Sequence, residues 1–513
     1  MASPSEKLAH SLSVLKEIQD RGQIAIRAGD MTRTHRERLL KNGFIREVMK
    51  GWYIPARADE APGESTAWYA SFWGFARDYL NSRFDEDWCL SPEQSLALHS
   101  GNWTVPRQLL VRTPKGGNKP TGLLHDTSIF DLRLELPDKD DIVLLDGLRT
   151  MSLPAALIAC PPNYYTAKPL EMRSALSMIN EPSDVLRRLL EGNHSTVAGR
   201  LAGAFRNIGR TKIADTILDT MRSAGHTVNE TDPFAEQSTV LFGNREVSPY
   251  VNRLRMMWAA FREPILEHFP PATNIPKDIK AYLTQIDDIY ASDAYHSLSI
   301  EGYKVSAELI ERVREGNWNP ASIKADPQSQ RDRDQQNTLA ARGYWQAFQA
   351  VKKTIKDVLE GKDAGEAAED DYSAWYRELF GPSVVAGIIG AADLAGYRNR
   401  AVYIRQSMHT PPSPEAVRDL IPAFFELLRE EQSPEVRVVL GHFIFVYIHP
   451  FMDGNGRTGR FLMNVMLAAG GYPWLVIPVE RRSDYMSALE AASVDQNIEP
   501  FTMFLSDLLK DQT

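Results

Sequence analysis

The segment His449-Pro-Phe-Met-Asp-Gly-Asn-Gly-Arg-Thr-Gly-Arg460 decides the fold of the C-terminal half of this 513-residue chain. Residues 435–448, which precede it, are apolar on nearly every helical face, and such a helix lies at the centre of a bundle. Pro450 has no backbone N–H and disfavours helical dihedrals at His449. We therefore expect the helix to end at His449, with the imidazole facing the loop that follows.

The loop and the start of the next helix carry groups that bind phosphate. Gly454 and Gly456 permit positive φ angles, so the backbone N–H groups around Asn455 can form an anion nest. The helix that begins near Arg457 directs its N-terminal dipole at the same point. Arg460 lies three positions further on, which places both guanidinium groups on one side of that helix.

A divalent cation completes this set of groups. Asp453 is the only carboxylate in the loop and is placed to hold a metal against phosphates, for which Mg²⁺ fits best. A base at His449, a metal carboxylate, a nest and two arginines are the components of phosphoryl or nucleotidyl transfer. The alternative is a glycine-rich turn between two core helices, with His449 as a satisfied core histidine. The concentration of these residue types in one short run favours the transfer site.

The same run matches the complete signature His-x-Phe-x-Asp/Glu-Gly-Asn-Gly-Arg-x-x-Arg of the Fic family. The chain resembles this family over about residues 232–509. Residues 396–404, followed by Pro411-Pro412, look like the family's flap hairpin and its exit, and residues 484–492 look like a closing helix. The resemblance implies a mainly α-helical bundle with a small β-hairpin flap.

The resemblance also implies an enzyme that transfers AMP from ATP, its co-substrate, to a Ser, Thr or Tyr hydroxyl of a target protein and of itself. The implied roles are proton removal from the hydroxyl by His449, Mg²⁺ binding by Asp453, a phosphate cradle formed by Gly454, Asn455 and Gly456, neutralisation of the inner phosphates by Arg457 and of the γ-phosphate by Arg460, and an adenine contact by Tyr485. Gly456 favours AMP transfer, because the family's phosphorylating branch usually carries lysine there.

Upstream, Ser297-Leu-Ser-Ile-Glu301-Gly302 ends a predicted helix, and Gly302 is a stop signal. Ser297 and Glu301 are four positions apart and share one face. The segment is similar to the inhibitory motif of Fic proteins that carry their own brake N-terminal to the catalytic core. This similarity implies that Glu301 inhibits the chain through Arg460. The alternative is an ordinary solvated helix end.

The N-terminal residues 1–58 are predicted to form a winged helix-turn-helix, with an amphipathic helix at 6–19, a short unit at 24–26, a basic helix at 32–41 and a hairpin at 43–55. Residues 27–50 hold seven Arg or Lys against three acidic residues, a local balance of +4 in a chain of −9. This asymmetry favours contact with operator DNA through Arg33, Arg36 and Lys41. The alternative is a winged helix that contacts only proteins.

Residues 8–165 also resemble the AbiEi-like transcriptional regulator antitoxins, in which a winged helix precedes an α+β domain. Ser91–His99, Val105-Pro106 and Arg149–Leu153 carry this likeness. The expected division is a winged helix at 1–58, an AbiEi-like α+β domain at 59–165, a helical connector at 166–231, Fic N-terminal helices with the inhibitory helix at 232–375 and a Fic catalytic core at 376–513. We expect the acidic stretch 360–371 to be a solvated loop.

Composition limits the remaining function classes. A net charge of −9 argues against a chain that coats nucleic acid or anionic membrane. The apolar stretch 461–479 is interrupted by Asn464, Gly470-Gly471 and Pro473, so no membrane partner is expected. Two distant cysteines and an N-terminus without an apolar stretch favour the reducing cytoplasm. A homodimer, the target protein and the preferred nucleotide stay open.

Two other hypotheses remain. One is a DNA-binding regulator whose Fic fold is sensory or vestigial. The other is an enzyme that removes AMP from a modified protein, with Glu301 positioning water. The intact motif favours AMP transfer as the primary activity, and the hypotheses do not exclude one another.

Overall fold

The chain divides into two compact units in the computed structural model. Unit 1 comprises Met1–Met256 with Tyr403–Thr410, and unit 2 comprises Met257–Val402 with Pro411–Thr513. The structure describes residues 3–56, 58, 64–235, 248–272, 278–316 and 328–511, without the side chains of 328–333 and 393. The predicted boundary after residue 58 falls at 59–63, outside the described residues.

Unit 1 begins with the predicted order of elements, which are α1 (Pro4–Asp20), β1 (Ile26–Arg27), α2 (Arg33–Lys41), β2 (Ile45–Met49) and β3 (Trp52–Pro55). The strands form an antiparallel sheet in the order β1-β3-β2. Ser3 caps α1 in a reciprocal box with Glu6, and Thr32 caps α2, so each helix begins where its free N–H groups find an oxygen. That this part is a winged helix stays a prediction.

The next part of unit 1 combines helices with short strands. Its elements are α3 (Thr66–Phe84), β4 (Cys89–Leu90), α4 (Pro92–His99), β5 (Gln108–Thr113), β6 (Pro120–Gly122), β7 (Ser128–Arg133), β8 (Ile142–Leu145) and β9 (Leu148–Met151). Four strands form a sheet in the order β4-β5-β7-β6, with β5 and β7 parallel, and β8 pairs with β9. Trp68, Phe72 and Phe75 of α3 are buried in the core of this part.

Helices follow β9 along the chain. They are α5 (Leu153–Ala159), α6 (Tyr164–Ala167), α7 (Pro169–Ser177), α8 (Ser183–Glu191), α9 (Ser195–Asn207), α10 (Thr211–Ser223) and α11 (Pro249–His268), within which the division between the units falls. Cys89 and Cys160 are free thiols and buried. Burial raises the pKa of Cys89 to about 12, which keeps the thiol protonated, as expected of a structural cysteine.

Unit 2 is helical in its described part. Its further helices are α12 (Ile279–Ile300), α13 (Ala307–Arg314), α14 (Gln328–Leu359), α15 (Ala364–Val385), α16 (Pro414–Glu430), α17 (Pro434–Ile448), α18 (Asn455–Ala469), α19 (Arg482–Glu490) and α20 (Glu499–Asp511). Most residues of α17 are buried, which confirms the prediction of a central helix. Of the helices in the described ranges, none has both the length and the apolar character that a membrane crossing requires.

The predicted β-hairpin at residues 396–404 is wrong. A 3-10 turn at Ala391–Leu394 is followed by irregular backbone, and β9 is the last strand in the described part of the chain. The backbone N–H of Arg398 donates to the Pro450 carbonyl at 2.9 Å, and Tyr403–Thr410 belongs to unit 1. Because backbone groups of this segment are paired elsewhere, they do not form a hairpin ladder.

Residues 364–371 of the acidic stretch 360–371 are helical, so the prediction of a loop is wrong for this part. The helix α15 begins at Ala364, where the side chain of Asp363 accepts the N–H of Glu366, and the stretch is rich in good helix formers. The predicted boundary between residues 375 and 376 therefore falls inside α15. The predicted boundary between residues 165 and 166 likewise falls inside a helix, α6. The remaining division stays a prediction.

Candidate active site

His449 ends α17 and precedes the loop, as predicted. Its backbone lies in the left-handed region, with φ 53° and ψ 60°, so the helix cannot continue. The ring atom Nδ1 lies 3.1 Å from the Val446 carbonyl oxygen, and because a carbonyl only accepts, Nδ1 carries the proton and Nε2 keeps a free lone pair. Burial lowers the pKa of His449 to about 4, opposed by the bond to Val446 and assisted by the Arg398 guanidinium. The imidazole is therefore neutral near pH 7 and can accept a proton.

A side-chain clamp holds the loop between α17 and α18. Asn455 donates to the Phe451 carbonyl and accepts from the Phe451 N–H, both at 2.9 Å. Gly454 has φ 79°, and a Cβ atom there would lie 2.6 Å from the Phe380 ring, so both conformation and space require glycine. Phe451 is buried and stacks on Tyr376 with 3.9 Å between ring centroids, so it anchors the loop in the interior. Both polar atoms of the Asn455 side chain are thus bonded to the backbone of Phe451. Asn455 can therefore contribute only its backbone N–H to the predicted phosphate cradle.

The two arginines of α18 are buried and keep unused donors. The side chains of Arg457 and Arg460 are 1% and 5% exposed. Among the described residues, no hydrogen-bond partner contacts Nε of Arg457 or Nη1 of Arg460. Buried donors without partners cost free energy, and a helix N-terminus favours a negative charge. The arrangement therefore fits an anionic ligand such as a polyphosphate.

The predicted contact between Glu301 and Arg460 is present. Oε1 of Glu301 accepts from Nη2 of Arg460 at 2.7 Å. Burial would raise the pKa of Glu301, but the charges of Arg460 and then Arg457 outweigh it and lower the pKa, so the carboxylate stays ionised. Ser297, one helical turn earlier, accepts from the same guanidinium through Oγ at 2.9 Å and through its carbonyl at 3.1 Å. Gly302, with φ 91°, then turns the chain away from the end of α12.

The Glu301 carboxylate overlaps the predicted phosphate cradle. A Cβ atom at Gly456 would lie 2.4 Å from Oε1 of Glu301 and 3.2 Å from Nη1 of Arg460. Gly456 is the second residue of α18, where backbone N–H groups have no partner within the helix. The carboxylate therefore occupies space at the helix N-terminus that a phosphate oxygen would need.

A buried polar group behind this contact escaped the sequence analysis. Asp293 lies one turn before Ser297 on α12 and accepts from the Tyr344 hydroxyl at 2.6 Å. Burial raises the pKa of Asp293 to about 6, although Tyr344 and Arg460 act in the opposite direction. The spacing of four residues between Asp293, Ser297 and Glu301 was the available signal, because it places all three on one helical face.

Arg398 is a second residue that the sequence analysis missed. Its side chain is buried, and its Nε donates to the His449 carbonyl at 2.8 Å. The same guanidinium also donates to the carbonyls of Pro412 and Arg400. A cation at the carbonyl end of α17 is favoured by the helix dipole. Arg398 therefore fixes the backbone that carries the imidazole, and no spacing rule in the sequence indicates this contact.

The prediction that Tyr485 contacts adenine does not fit its placement. The ring is 1% exposed, and its hydroxyl lies 2.7 Å from Nε2 of His442. Phe501 and Phe504 lie beside it, with ring centroids 6.3 Å and 5.9 Å away. A ring enclosed in this way has no free face for a base, so Tyr485 supports the interior next to Arg460.

Asp453 fits the predicted metal role in one respect. Its side chain is 64% exposed, and Oδ1 accepts from the Gly454 N–H at 2.5 Å and lies 3.3 Å from Arg457. Within the described ranges, no group of three or more His, Cys, Asp or Glu side chains could hold a metal ion. Mg²⁺ at phosphate sites usually takes one or two carboxylates and completes its shell with waters and phosphate oxygens. A single exposed carboxylate therefore fits a Mg²⁺ that arrives with a nucleotide.

The three basic residues predicted to contact DNA lie on α2 in unit 1. Arg33 pairs with Glu37 at 2.6 Å, and Nη1 of Arg36 donates to the Ala28 carbonyl at 2.7 Å. Lys41 is exposed at the end of the helix. The side chains of Arg33 and Arg36 thus already bind groups within unit 1. The role of all three residues in DNA binding stays a prediction.

Part of unit 2 matches the model of a known protein family. Residues 367–467, which include α17, the loop and most of α18, match the model of the Fic/DOC family. The match agrees with the signature at 449–460 and with the burial of α17. A Fic/DOC segment is therefore present in unit 2.

Curated relatives extend the similarity. The protein adenylyltransferase Fic of Drosophila grimshawi and that of Drosophila melanogaster are each 31% identical to this chain over 230 residues, which is 43% of this chain and 41% and 40% of the relatives. The chain thus spans less than half the length of these relatives. Among solved structures, Fic-1 (aa134–508) from C. elegans has 17% identity and a TM-score of 0.37, over 70% of this chain and 89% of that one. An overlap this loose supports no argument.

Proposed function

We propose that unit 2 is an autoinhibited protein adenylyltransferase. It transfers AMP from ATP to a Ser, Thr or Tyr hydroxyl of a target protein and of itself, and Glu301 restrains it. The observation that carries the proposal is the pair of buried arginines at the start of α18, whose unused donors fit a polyphosphate. The adenylyltransferase names of the similar curated relatives support AMP as the transferred group.

In the proposed reaction, His449 acts as the general base. Its unprotonated Nε2 takes the proton of the target hydroxyl while the hydroxyl oxygen forms a bond to the α-phosphorus. The bond between that phosphorus and the oxygen bridging to the β-phosphate breaks, and pyrophosphate leaves. Arg398 keeps the imidazole in place through the His449 carbonyl, while Arg457 and Arg460 neutralise the phosphates. Mg²⁺ held by Asp453 would neutralise further phosphate charge.

Inhibition follows from competition for Arg460. The carboxylate of Glu301 binds the guanidinium that the γ-phosphate needs and fills space against Gly456. A nucleotide that enters beside the carboxylate cannot place its γ-phosphate on Arg460, so its α-phosphate is not aligned with the hydroxyl. Ser297 strengthens this state, because it holds the same guanidinium from the preceding turn. AMP removal, with Glu301 positioning water, is the alternative use of this contact.

The experiment that tests the function uses the full chain with Glu301→Gly, incubated with cell lysate and Mg²⁺. Label on the α-phosphate of ATP is expected to enter protein, and label on the γ-phosphate is not. Asp453→Asn in the same background is expected to lower incorporation about tenfold or more and to raise the Mg²⁺ concentration for half-maximal rate, because a carboxylate ligand is lost.

Asp484→Asn is the matched control, because Asp484 is a similarly exposed carboxylate, 61% accessible, on α19. Its Mg²⁺ titration should equal that of the parent chain. If label on the γ-phosphate enters protein, the chain transfers phosphate and the proposal of AMP transfer is wrong. If the Mg²⁺ titration of Asp453→Asn is unchanged, Asp453 is not the metal ligand.

The order of α1, β1, α2, β2 and β3 favours a second candidate function for unit 1, the binding of operator DNA through α2. If Arg33, Arg36 and Lys41 each contact a phosphate, affinity should fall roughly 40-fold between about 50 and 200 mM salt. Binding of the full chain to the DNA upstream of its own gene, measured by anisotropy, checks this. Lys41→Glu should weaken binding, whereas Lys356→Glu on α14 should not. A salt-independent affinity, or no binding at low salt, would rule out this function.

A further inference from the structure

A cleft of about 620 Å³ opens beside the loop of the candidate active site in unit 2. Its walls come from α15, from the irregular segment 392–400 and from Arg418 on α16, and Phe451 and Met452 of the loop complete it. Met452 is three residues from His449, so the two lie within about 11 Å along the backbone. A segment that carries a hydroxyl to His449 can therefore reach this cleft.

The charge of the cleft has one sign. Four arginines line it, which are Arg377, Arg398, Arg400 and Arg418, and its described lining includes no Asp or Glu. Arg398 is buried and bonded to carbonyls, so the charge available to a ligand is that of the other three. Those three are exposed, and none of them has an ion-pair partner among the residues that the structure describes.

The exposed arginines use few of their donors within the protein. Arg377 donates to the Ser373 hydroxyl at 3.3 Å, and Arg418 donates to the Pro414 carbonyl at 3.0 Å, each within its own helical turn. Glu415 contributes negative charge near Arg418, but its carboxylate is bonded to its own backbone N–H and to Ser413. Most guanidinium donors at the rim are therefore free to bind an incoming anion.

The floor of the cleft is aromatic. Tyr372 and Tyr397 share a hydrogen bond between their hydroxyls at 2.5 Å, and Tyr376 stacks on Phe451. These rings contact one another, so the floor is ordered before a ligand arrives. An arginine rim above an aromatic floor suits a short peptide segment that carries negative charge, because the rings pack against the chain and the guanidinium groups bind carboxylate oxygens.

From this juxtaposition we propose that the cleft binds an acidic side chain, Asp or Glu, of the target segment that carries the acceptor hydroxyl. This inference rests on the proposed function and specifies its substrate class. An extended peptide advances about 3.3 Å per residue. Because Met452 of the cleft lies within about 11 Å of His449, we place the carboxylate about two to four positions from the hydroxyl that receives AMP.

The test uses the full chain and three peptides with one central Ser, flanked at these positions by Asp, by Gln or by phosphoserine. Fluorescence anisotropy without ATP measures binding, and transfer from α-labelled ATP in the Glu301→Gly background measures kcat/KM. The Asp peptide is expected to bind about tenfold more tightly than the Gln peptide, and the advantage should shrink as salt screens the charges. Arg377→Glu with Arg400→Glu should abolish the advantage.

Arg312→Glu is the matched control, because Arg312 is an exposed arginine of unit 2 on α13, away from the cleft lining. It should leave the advantage of the Asp peptide unchanged. Equal binding of the Asp and Gln peptides, or an equal loss with Arg312→Glu, overturns the proposal. Binding only of a phosphoserine-flanked peptide also overturns it, since the cleft would then be a phosphate site. If the Asp peptide binds selectively but no peptide and no protein receives AMP, the proposed function fails while the acidic specificity of the cleft stands.

Discussion

Glu301→Gly is expected to raise the rate of self-modification at least tenfold over that of the unmodified sequence. The variant removes the carboxylate that binds Nη2 of Arg460 at 2.7 Å and frees the space against Gly456. The Coulomb attraction of such a pair is about 4 kcal/mol at 4 Å and a dielectric of about 20, before the cost of desolvation is subtracted. Each 1.4 kcal/mol of net inhibition that is released gives about a tenfold increase in rate. Incorporation of α-labelled ATP into the purified chain measures the effect.

Two controls separate charge from backbone loosening. Ser299→Gly places a glycine in the same last turn of α12 but leaves the carboxylate in position, so the rate should stay at the level of the unmodified sequence. Glu301→Gln keeps the side-chain volume and removes the charge. Its rate of self-modification should therefore lie between the rates of Ser299→Gly and Glu301→Gly. If Ser299→Gly activates as much as Glu301→Gly, the effect comes from the helix end and not from the ion pair. If Glu301→Gly leaves the rate unchanged, the brake does not exist.

His449→Ala in the Glu301→Gly background is expected to lower transfer by about 10²-fold to 10⁴-fold, the usual contribution of a positioned general base. ATP affinity, measured by calorimetry, should change little, because the imidazole acts on the hydroxyl and the arginines of α18 hold the phosphates. His268→Ala, at the end of α11, is the control for loss of a histidine elsewhere in unit 2. A fall in ATP affinity as large as the fall in rate would contradict the base role.

The pKa of His449 determines how kcat/KM should depend on pH. Because burial lowers the pKa of His449 to about 4 from the usual 6.5, the imidazole is neutral and competent above about pH 5. The value of kcat/KM should therefore stay level from pH 7 down to about 5 and fall only below that. A base with the ordinary pKa would lose activity already between about pH 7 and 6. A midpoint near 6.5 would show that the free enzyme exposes His449 more than the structure does.

The sequence predicts the parts of the site that depend on local rules. Pro450 ends α17 at His449, and the spacing of Arg457 and Arg460 follows the helical period. Ser297 and Glu301 share a helical face by spacing, and the contact of Glu301 with Arg460 follows from the family resemblance. Each of these depends on residues a few positions apart, or on a complete family signature. Periodicity and short motifs contain that information.

Contacts between distant residues were not predictable in the same way. Arg398 donates to the His449 carbonyl, and Tyr344 donates to Asp293. In both pairs the two residues are 51 positions apart in the sequence. No spacing rule encodes such pairs. The hairpin at 396–404 was expected from resemblance alone, and it fails because the Arg398 backbone bonds to Pro450. The resemblance alone assigns Tyr485 to the adenine pocket, whereas its burial depends on packing against residues of other helices.

The contact between Gly456 and the Glu301 carboxylate bears on how substitutions would affect the proposed activity and its restraint. Any side chain at position 456 would displace the carboxylate from its place 2.4 Å from the Cβ position, and so would weaken the brake. The same side chain would also fill the cradle at the start of α18. A substitution at position 456 is therefore expected to abolish the proposed restraint and the proposed AMP transfer together. Loss of the Glu301 carboxylate would remove the proposed restraint alone, so activity without restraint is expected from changes at position 301, at the end of α12, and not from changes at position 456.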